Sequence, residues 1–262
     1  MLNLPPNPKW DIARVSHSTL VNADCFDVFP FIEGKSIDAI ICDLPYGTTA
    51  CKWDSILPLN TLWKEYNRII KPKGAIILTA SQPFTTTLIE SNKNNFAFAW
   101  VWDKKFGANF VQAKRQPIKV HEDVLIFTNG GMQPNYYPQM IKRDKPIKKG
   151  GNKQSDAIPI ARTENAKLFG EQGKVYNEKH PTSIIQFDVR KGRGLHPTQK
   201  PIELMEYLIK TYTNEGDTVL DNTMGSGTTN LACLKLNRKS IGIEKEKQYY
   251  DVAVRRLSSY CG

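Results

Sequence analysis

Cysteine is sparse and badly spaced for cross-linking. The five cysteines, Cys25, Cys42, Cys51, Cys233 and Cys261, are odd in number and never fall as C-x-x-C, which argues against a disulfide framework and a cysteine zinc site. They read as reduced thiols of a cytosolic protein. Histidine is scarcer still: His17, His121, His180 and His196 show no chelating spacing, so no metal is expected. Nowhere does the chain run for the roughly 20 apolar residues that a membrane span requires, and no basic start leads into an apolar stretch. The expectation is a cytoplasmic protein with no membrane partner. Acidic residues are outnumbered too, with 26 Asp and Glu against 36 Lys and Arg and a net charge of +10. That balance suits a polyanion, because each phosphate neutralised releases condensed counterions, although a merely soluble basic protein shows it as well. The excess is uneven: from Met132 to Leu195, 13 basic residues face 6 acidic ones, and the rest of the chain is nearly balanced.

What is present is enough for one large folded unit. In 262 residues 40% are hydrophobic, which supports a packed core without covalent staples. Two apolar runs end in an acid and then turn, Ile37 to Asp43 and Thr218 to Asp221, the pattern of buried parallel strands opening onto a ligand crevice. Ala75 to Thr79, Phe96 to Trp102, Val124 to Thr128 and Ser240 to Glu244 read as further strands, and Leu59 to Ile70, Ile202 to Thr213 and Thr228 to Leu236 as helices. Such alternation predicts an α/β, doubly wound, Rossmann-like sheet. Between about Gly130 and Gly194 periodicity fades and Gly, Lys, Asn, Gln and Pro accumulate, which reads as a nucleic-acid-facing insert or as a flexible surface loop.

Three segments have chemical content. At the end of the first strand stands Asp43-Leu44-Pro45-Tyr46. An exocyclic base amine is a poor nucleophile until its lone pair is freed; the Asp43 carboxylate and the Leu44 or Pro45 carbonyl can each accept one of its hydrogens. Pro45 restrains the backbone, and Tyr46 offers a face to an extruded base. Taken alone, D-x-P-Y also describes an ordinary turn. Next, Asp221-Asn222-Thr223-Met224-Gly225-Ser226-Gly227-Thr228 is a strand end, a Gly-x-Gly turn and a helix start, with Glu244 at the end of the following strand to accept from ribose hydroxyls. The third glycine of the dinucleotide fingerprint is missing, so S-adenosylmethionine (SAM) fits better than NAD. Last, in His196-Pro197-Thr198-Gln199-Lys200-Pro201, Thr198 and Lys200 stand before a helix N-terminus, where the carboxylate of a methionyl group is favoured. A plain loop-to-helix junction reads the same way.

In this order the segments resemble the beta class of DNA amino-methyltransferases, whose chains run from D-P-P-Y through a target-recognition region and H-P-T-Q-K-P to the glycine-rich SAM loop. The likeness spans nearly the whole chain and includes Asn22-Ala23-Asp24, Trp102-Asp103-Lys104 and His121-Glu122-Asp123-Val124-Leu125-Ile126-Phe127. The resemblance implies a circularly permuted SAM-dependent methyltransferase: residues 1–129 as catalytic half, 130–195 as target-recognition insert and 196–262 as SAM-binding half. It implies catalytic roles for Asp43, Leu44, Pro45 and Tyr46. For cofactor binding it implies Asp24 near the adenine, Thr198 and Lys200 at the methionyl end, Asp221, Thr223, Gly225, Gly227 and Thr228 in the loop, and Glu244 at the ribose. Leu44 departs from the usual first proline and Thr223 from the usual aromatic. Asp rather than Ser at the first catalytic position resembles adenine N6 enzymes. The expected reaction is methyl transfer to N6 of a flipped-out adenine in double-stranded DNA, with N4-cytosine as the alternative, a homodimer left open, and an RNA substrate, an inactive DNA-binding module or an NAD enzyme as weaker readings.

Overall fold

Strand β3 (Ile37–Cys42) shows how the core is built. Its residues alternate between two apolar layers, Ile40 and Cys42 in one and Ala39 and Ile41 in the other. A strand covered on both faces needs no polar alternation, which is why it reads as a continuous apolar run. The computed structural model describes residues 9–47, 55–148, 175–192, 194 and 199–262. The same two-sided burial recurs in β4 (Ile70–Ala80) and β6 (Lys119–Phe127), where Ile76, Leu78, Leu125 and Phe127 face one layer and Ala75, Ile77, Val124 and Ile126 the other.

Helices cover both layers. On one face α1 (Cys25–Val28), α2 (Leu59–Ile69) and α3 (Phe84–Ser91) pack down; α2 buries Leu62, Trp63, Tyr66 and Ile69, spaced to share one stripe. Each such side chain contributes about 1.5–3 kcal/mol on burial. On the other face lie α4 (Ile202–Tyr212), burying Leu204, Met205, Leu208 and Ile209, and α5 (Thr228–Lys235). A third cluster joins α6 (Lys247–Cys261), through Tyr250, Ala253 and Leu257, to Leu20 of β2 (Ser18–Asn22).

With β1 (Asp11–Val15), β5 (Phe96–Ala108), β9 (Ile184–Gln186), β10 (Thr218–Asp221) and β11 (Lys239–Glu244), the nine-stranded sheet runs β1-β2-β11-β10-β3-β4-β6-β5-β9. Pairs β2–β11, β11–β10, β10–β3 and β3–β4 are parallel, whereas β1–β2, β4–β6 and β6–β5 are antiparallel. Leu220 of β10 lies opposite Ile40 of β3. From β3 the chain continues to β4 on one side, and from β10 to β11 on the other. Adjacent parallel strands whose connections diverge define a switch point, and the crevice opens at their C-terminal ends. This is the expected doubly wound architecture, joined across the permutation.

The structure departs from the sequence reading where burial is not what holds a strand. Within the expected insert, β7 (Ile141–Lys148) pairs antiparallel with β8 (Val175–Lys179). Nearly every residue of that ribbon is exposed, so cross-strand hydrogen bonds support it and no apolar alternation marks it. Strand β9 pairs parallel with β5 and belongs to the main sheet. The chain accordingly divides into one unit of Met1–Tyr137 with Ser183–Gly262 and another of Pro138–Thr182, narrower than the expected 130–195.

Candidate active site

Asp43 follows β3 directly, and its carboxylate is held from three sides. Oδ1 accepts the Tyr46 hydroxyl at 2.7 Å and the Thr79 hydroxyl at 2.5 Å, and Oδ2 accepts Lys200 Nζ at 2.6 Å. Thr79 reaches it because β3 and β4 run in register, Cys42 opposite Leu78. Leu44 is buried in the core, anchoring the turn by its side chain where a proline would anchor it by its ring. The Tyr46 ring, half-buried, stacks on Phe84 with centroids 5.2 Å apart. Burial and the Asp43 charge push its phenol well above the ordinary value, so it remains a donor to Asp43.

Behind Asp43 the charges alternate in sign. The Lys200 ammonium also lies 3.5 Å from Glu122 Oε2, within ion-pair reach but long for a hydrogen bond, and Glu122 Oε1 accepts Lys104 Nζ at 3.0 Å. Lys200, Glu122 and Lys104 are all largely shielded from water. Burial opposes each charge, yet the partners win. Lys200 and Lys104 hold the Glu122 carboxyl below its ordinary value, and Asp43 and Glu122 hold the Lys200 ammonium above its own.

Across the switch point, three carboxylates mark the ends of adjacent strands. Asp221 ends β10 and accepts the Thr223 N–H; burial pushes its carboxyl up to about 7. Glu244 ends β11, where Oε2 accepts Gly225 N–H and Oε1 accepts Glu246 N–H, each at 2.8 Å; burial raises its carboxyl as well. Asp24 follows β2, caps α1 through the Phe26 N–H and pairs with Lys245 at 3.1 Å. Between them the loop turns on Gly225 (φ +51°) and Gly227 (φ +74°). A Cβ on Gly227 would lie 2.9 Å from the Cβ of Ala253, so α6 enforces glycine as strictly as the dihedral does. Thr228 opens α5 with its hydroxyl accepting from Arg256 at 3.0 Å. The Thr223 hydroxyl donates to the Asp43 main-chain oxygen at 3.1 Å, a direct tie between the two halves of the crevice.

A family profile described as DNA methylase, of the N6/N4 type, matches residues 37–255. The chain belongs to that family. The type II methyltransferase M.HpaI of Haemophilus parainfluenzae is 29% identical to this methylase over 253 residues, covering 92% of this chain and 74% of its own. The DNA adenine methyltransferase YhdJ of Escherichia coli is 27% identical over 264 residues, covering 91% and 82%. Two solved structures share the fold: a SAM complex of M1.HpyAVI (TM-score 0.61, 24% identity, 91% of this chain and 99% of that one) and the cytosine-N4-specific PvuII DNA methyltransferase (0.65, 14%, 94% and 93%).

Of the residues expected from sequence, the structure of the methylase gathers Asp43, Leu44, Pro45 and Tyr46 at one strand end and Asp24, Asp221, Thr223, Gly225, Gly227, Thr228 and Glu244 at its neighbours. Lys200 is the exception. Expected at a cofactor carboxylate, its ammonium lies between Asp43 and Glu122, because the segment before α4 runs beside β6 as well as the loop. Gln199 reaches the loop in its place, accepting the Ser226 hydroxyl at 3.3 Å. Thr198, with His196 and Pro197, lies outside the described residues. Thr79, Glu122 and Lys104 were not singled out from sequence as site residues. Glu122 and Lys104 lie within the segments that resemble the family, but only strand pairing reveals what they touch. Beneath the loop Asn222 Oδ1 accepts both Tyr66 Oη at 2.5 Å and Cys42 Sγ at 3.0 Å, a buried brace that the sequence did not announce. No group of three potential metal ligands occurs among the described residues, and no described helix is long and apolar enough to cross a membrane.

Proposed function

We propose that this methylase transfers a methyl group from SAM to N6 of an adenine extruded from duplex DNA. The observation that carries the reading is the Asp43 carboxylate, fixed by three donors at the switch point with the carboxylate-lined loop beside it. A carboxylate has about four acceptor positions, so three bound donors leave one for an amine hydrogen. The Leu44 or Pro45 carbonyl takes the second hydrogen. Tyr46, backed by Phe84, gives the base a face to stack on.

The cofactor half fits SAM on its donor chemistry. Asp24, Asp221 and Glu244 place negative charge at three strand ends, which repels the pyrophosphate of a dinucleotide but suits a ligand bearing sulfonium and ammonium charges. Asp221, pushed up by burial to about 7, gains most from such a cation. Glu244 holds each oxygen by one backbone N–H and has acceptor capacity left for ribose hydroxyls. Bound SAM supplies a methyl group already activated by positive sulfur. The residues of this chain then act by alignment and by stabilising positive charge at the acceptor nitrogen, Asp43 directly and Thr223 by tying its backbone to the loop.

Duplex DNA as the partner is supported by the basic ribbon of the Pro138–Thr182 unit, where β7 carries Lys142, Arg143, Lys145 and Lys148 against a single acid, Asp144; the expected roles of the three chain segments rest on the same reading. An aspartate can serve a cytosine amine equally, and the fold shared with a cytosine-N4-specific enzyme keeps that second reading open. Nucleoside analysis of DNA from cells producing the chain tests both: N6-methyldeoxyadenosine, absent with Asp43→Ala, is expected, and N4-methyldeoxycytidine would replace the adenine reading.

A further inference from the structure

An arm joins β5 to β6. Regular pairing of these strands reaches Asp103 opposite His121, then resumes at Ala108 opposite Lys119, beyond where either strand is packed between helices. The sequence reading ended the first strand at Trp102 and began the second at Val124, since apolar periodicity stops there. What projects is a braced structure. Asn109 turns left-handed (φ +57°) and its Oδ1 accepts Lys119 N–H at 2.9 Å. Phe106 and Phe110 meet edge to face at 5.8 Å, the Arg190 guanidinium lies 5.6 Å over Phe106, and a Cβ on Gly107 would strike Ile118. Lys119 Nζ donates to the hydroxyl of Ser81, two residues beyond the Thr79 that holds Asp43. The arm therefore rises from the catalytic rim.

Its tip is apolar and in water. Val111 is 99% exposed and Phe110 56% exposed, on a single turn from Phe110 to Gln112. From Lys104 to Lys119 the sequence has five basic residues and no acidic one, with Lys114 and Arg115 exposed beside the tip. A lone exposed valine is unremarkable on a surface. On a braced arm, at the catalytic rim, with every charge positive, it has the make-up of a wedge for a polyanion with an apolar interior. Stacked bases provide that interior, and phosphates the charge. A second copy of the chain fits less well, because the arm would face its own sign of charge.

We propose that Val111, with Phe110 behind it, enters the DNA base stack beside the target nucleotide and occupies the gap while the base is extruded. The proposal rests on the duplex DNA reading above. Extrusion forfeits stacking on both sides of the target, and an apolar side chain in the vacated step recovers part of it. Lys114 and Arg115 hold the flanking phosphates meanwhile.

The test uses the full chain, tritiated SAM and two duplexes bearing the sequence found methylated in producing cells. One is fully paired, and in the other the target base lies opposite an abasic site and is already loosened. Since Val111 is exposed, Val111→Gly leaves the fold intact. On the paired duplex it should lower kcat/KM by about tenfold or more, and on the abasic duplex it should stay within about threefold of wild type. Val111→Leu should match wild type on both. Equal losses on both duplexes, no loss on the paired one, or a change in sedimentation that marks Val111 as a contact between copies would each overturn the proposal. Wild-type silence on both duplexes would overturn the DNA methylation reading itself, which separates the two failures.

Discussion

Lys200→Met removes the centre of the buried charge cluster and leaves two carboxylates facing one another. Asp43 keeps its bonds to Tyr46 and Thr79, and Glu122 keeps Lys104, but Glu122 Oε2 loses the one cation within reach among the described residues. Removing one partner of a buried ion pair costs about 3–5 kcal/mol, and the low end applies because the Asp43 side chain is partly open to water and hydroxyl-bonded. For a domain of this size each kcal/mol corresponds to about 2–4 °C in Tm, so a fall of about 6–12 °C is expected. The pH dependence follows from the two shifts. Glu122 is held below its ordinary value of 4.5, so its share of stability is present above that pH and is lost as pH falls through the lowered value. Lys200 is held above 10.5, so its share is present below 10.5 and is lost as pH rises through the raised value. The gap between wild type and mutant should be widest between those limits and close on acidification. Urea unfolding at neutral pH of Lys200→Met, Glu122→Gln and the double mutant, with unchanged m-values, measures the coupling. The second substitution neutralises the carboxylate that the first strands, so the double mutant should be more stable than additivity requires by about 1–2 kcal/mol. Additivity within about 0.5 kcal/mol would refute the cluster as an energetic unit.

Asp221→Asn tests burial in the cofactor loop. The wild-type carboxyl binds its proton in the folded state up to about pH 7 against an ordinary 3.8, so stability should decline as pH rises between those values. The mutant should lose that slope and exceed wild type at pH 8 in thermal unfolding; an unchanged slope would place the titration elsewhere. Gly242→Ala puts a methyl group against Met224 Sδ and the Asn230 side chain, and should cost about 1–3 kcal/mol by overpacking while weakening SAM binding by calorimetry. Wild-type stability and affinity together would show that the loop yields freely. Glu244→Ala should weaken SAM while DNA affinity stays within a few fold; unchanged SAM affinity would move the ribose site. Reversing Lys142, Arg143, Lys145 and Lys148 should weaken cognate and random duplexes alike and flatten the slope of log affinity against log salt by about 0.9 per true phosphate contact. A retained slope would make β7 a solvated ribbon.

Much of this molecule is determined locally. The runs ending in Asp43, Asp221 and Glu244 read as buried strands because a strand covered on both faces must be apolar throughout, and the acid that ends each run marks the side on which a crevice opens. The glycines of the loop were equally legible, since left-handed backbone selects for them chemically. Those signals are properties of short segments and survive without a fold. What the tertiary structure alone decided is which distant groups meet. Thr79 is 36 residues from Asp43, Lys200 is 157 away, and the Glu122–Lys104 pair joins two antiparallel strands. Their contacts depend on strand register and on the path of the segment entering α4, and no local pattern encodes either. For the same reason the contacts of Lys200 with Asp43 and Glu122 are not written in its own segment: charge specifies what a side chain can bind, and packing determines what it reaches. The exposed β7–β8 ribbon and the arm tipped by Val111 are illegible for a different reason, because sequence periodicity records burial, whereas the ribbon is held by cross-strand hydrogen bonds and the arm by hydrogen bonds and ring contacts in water.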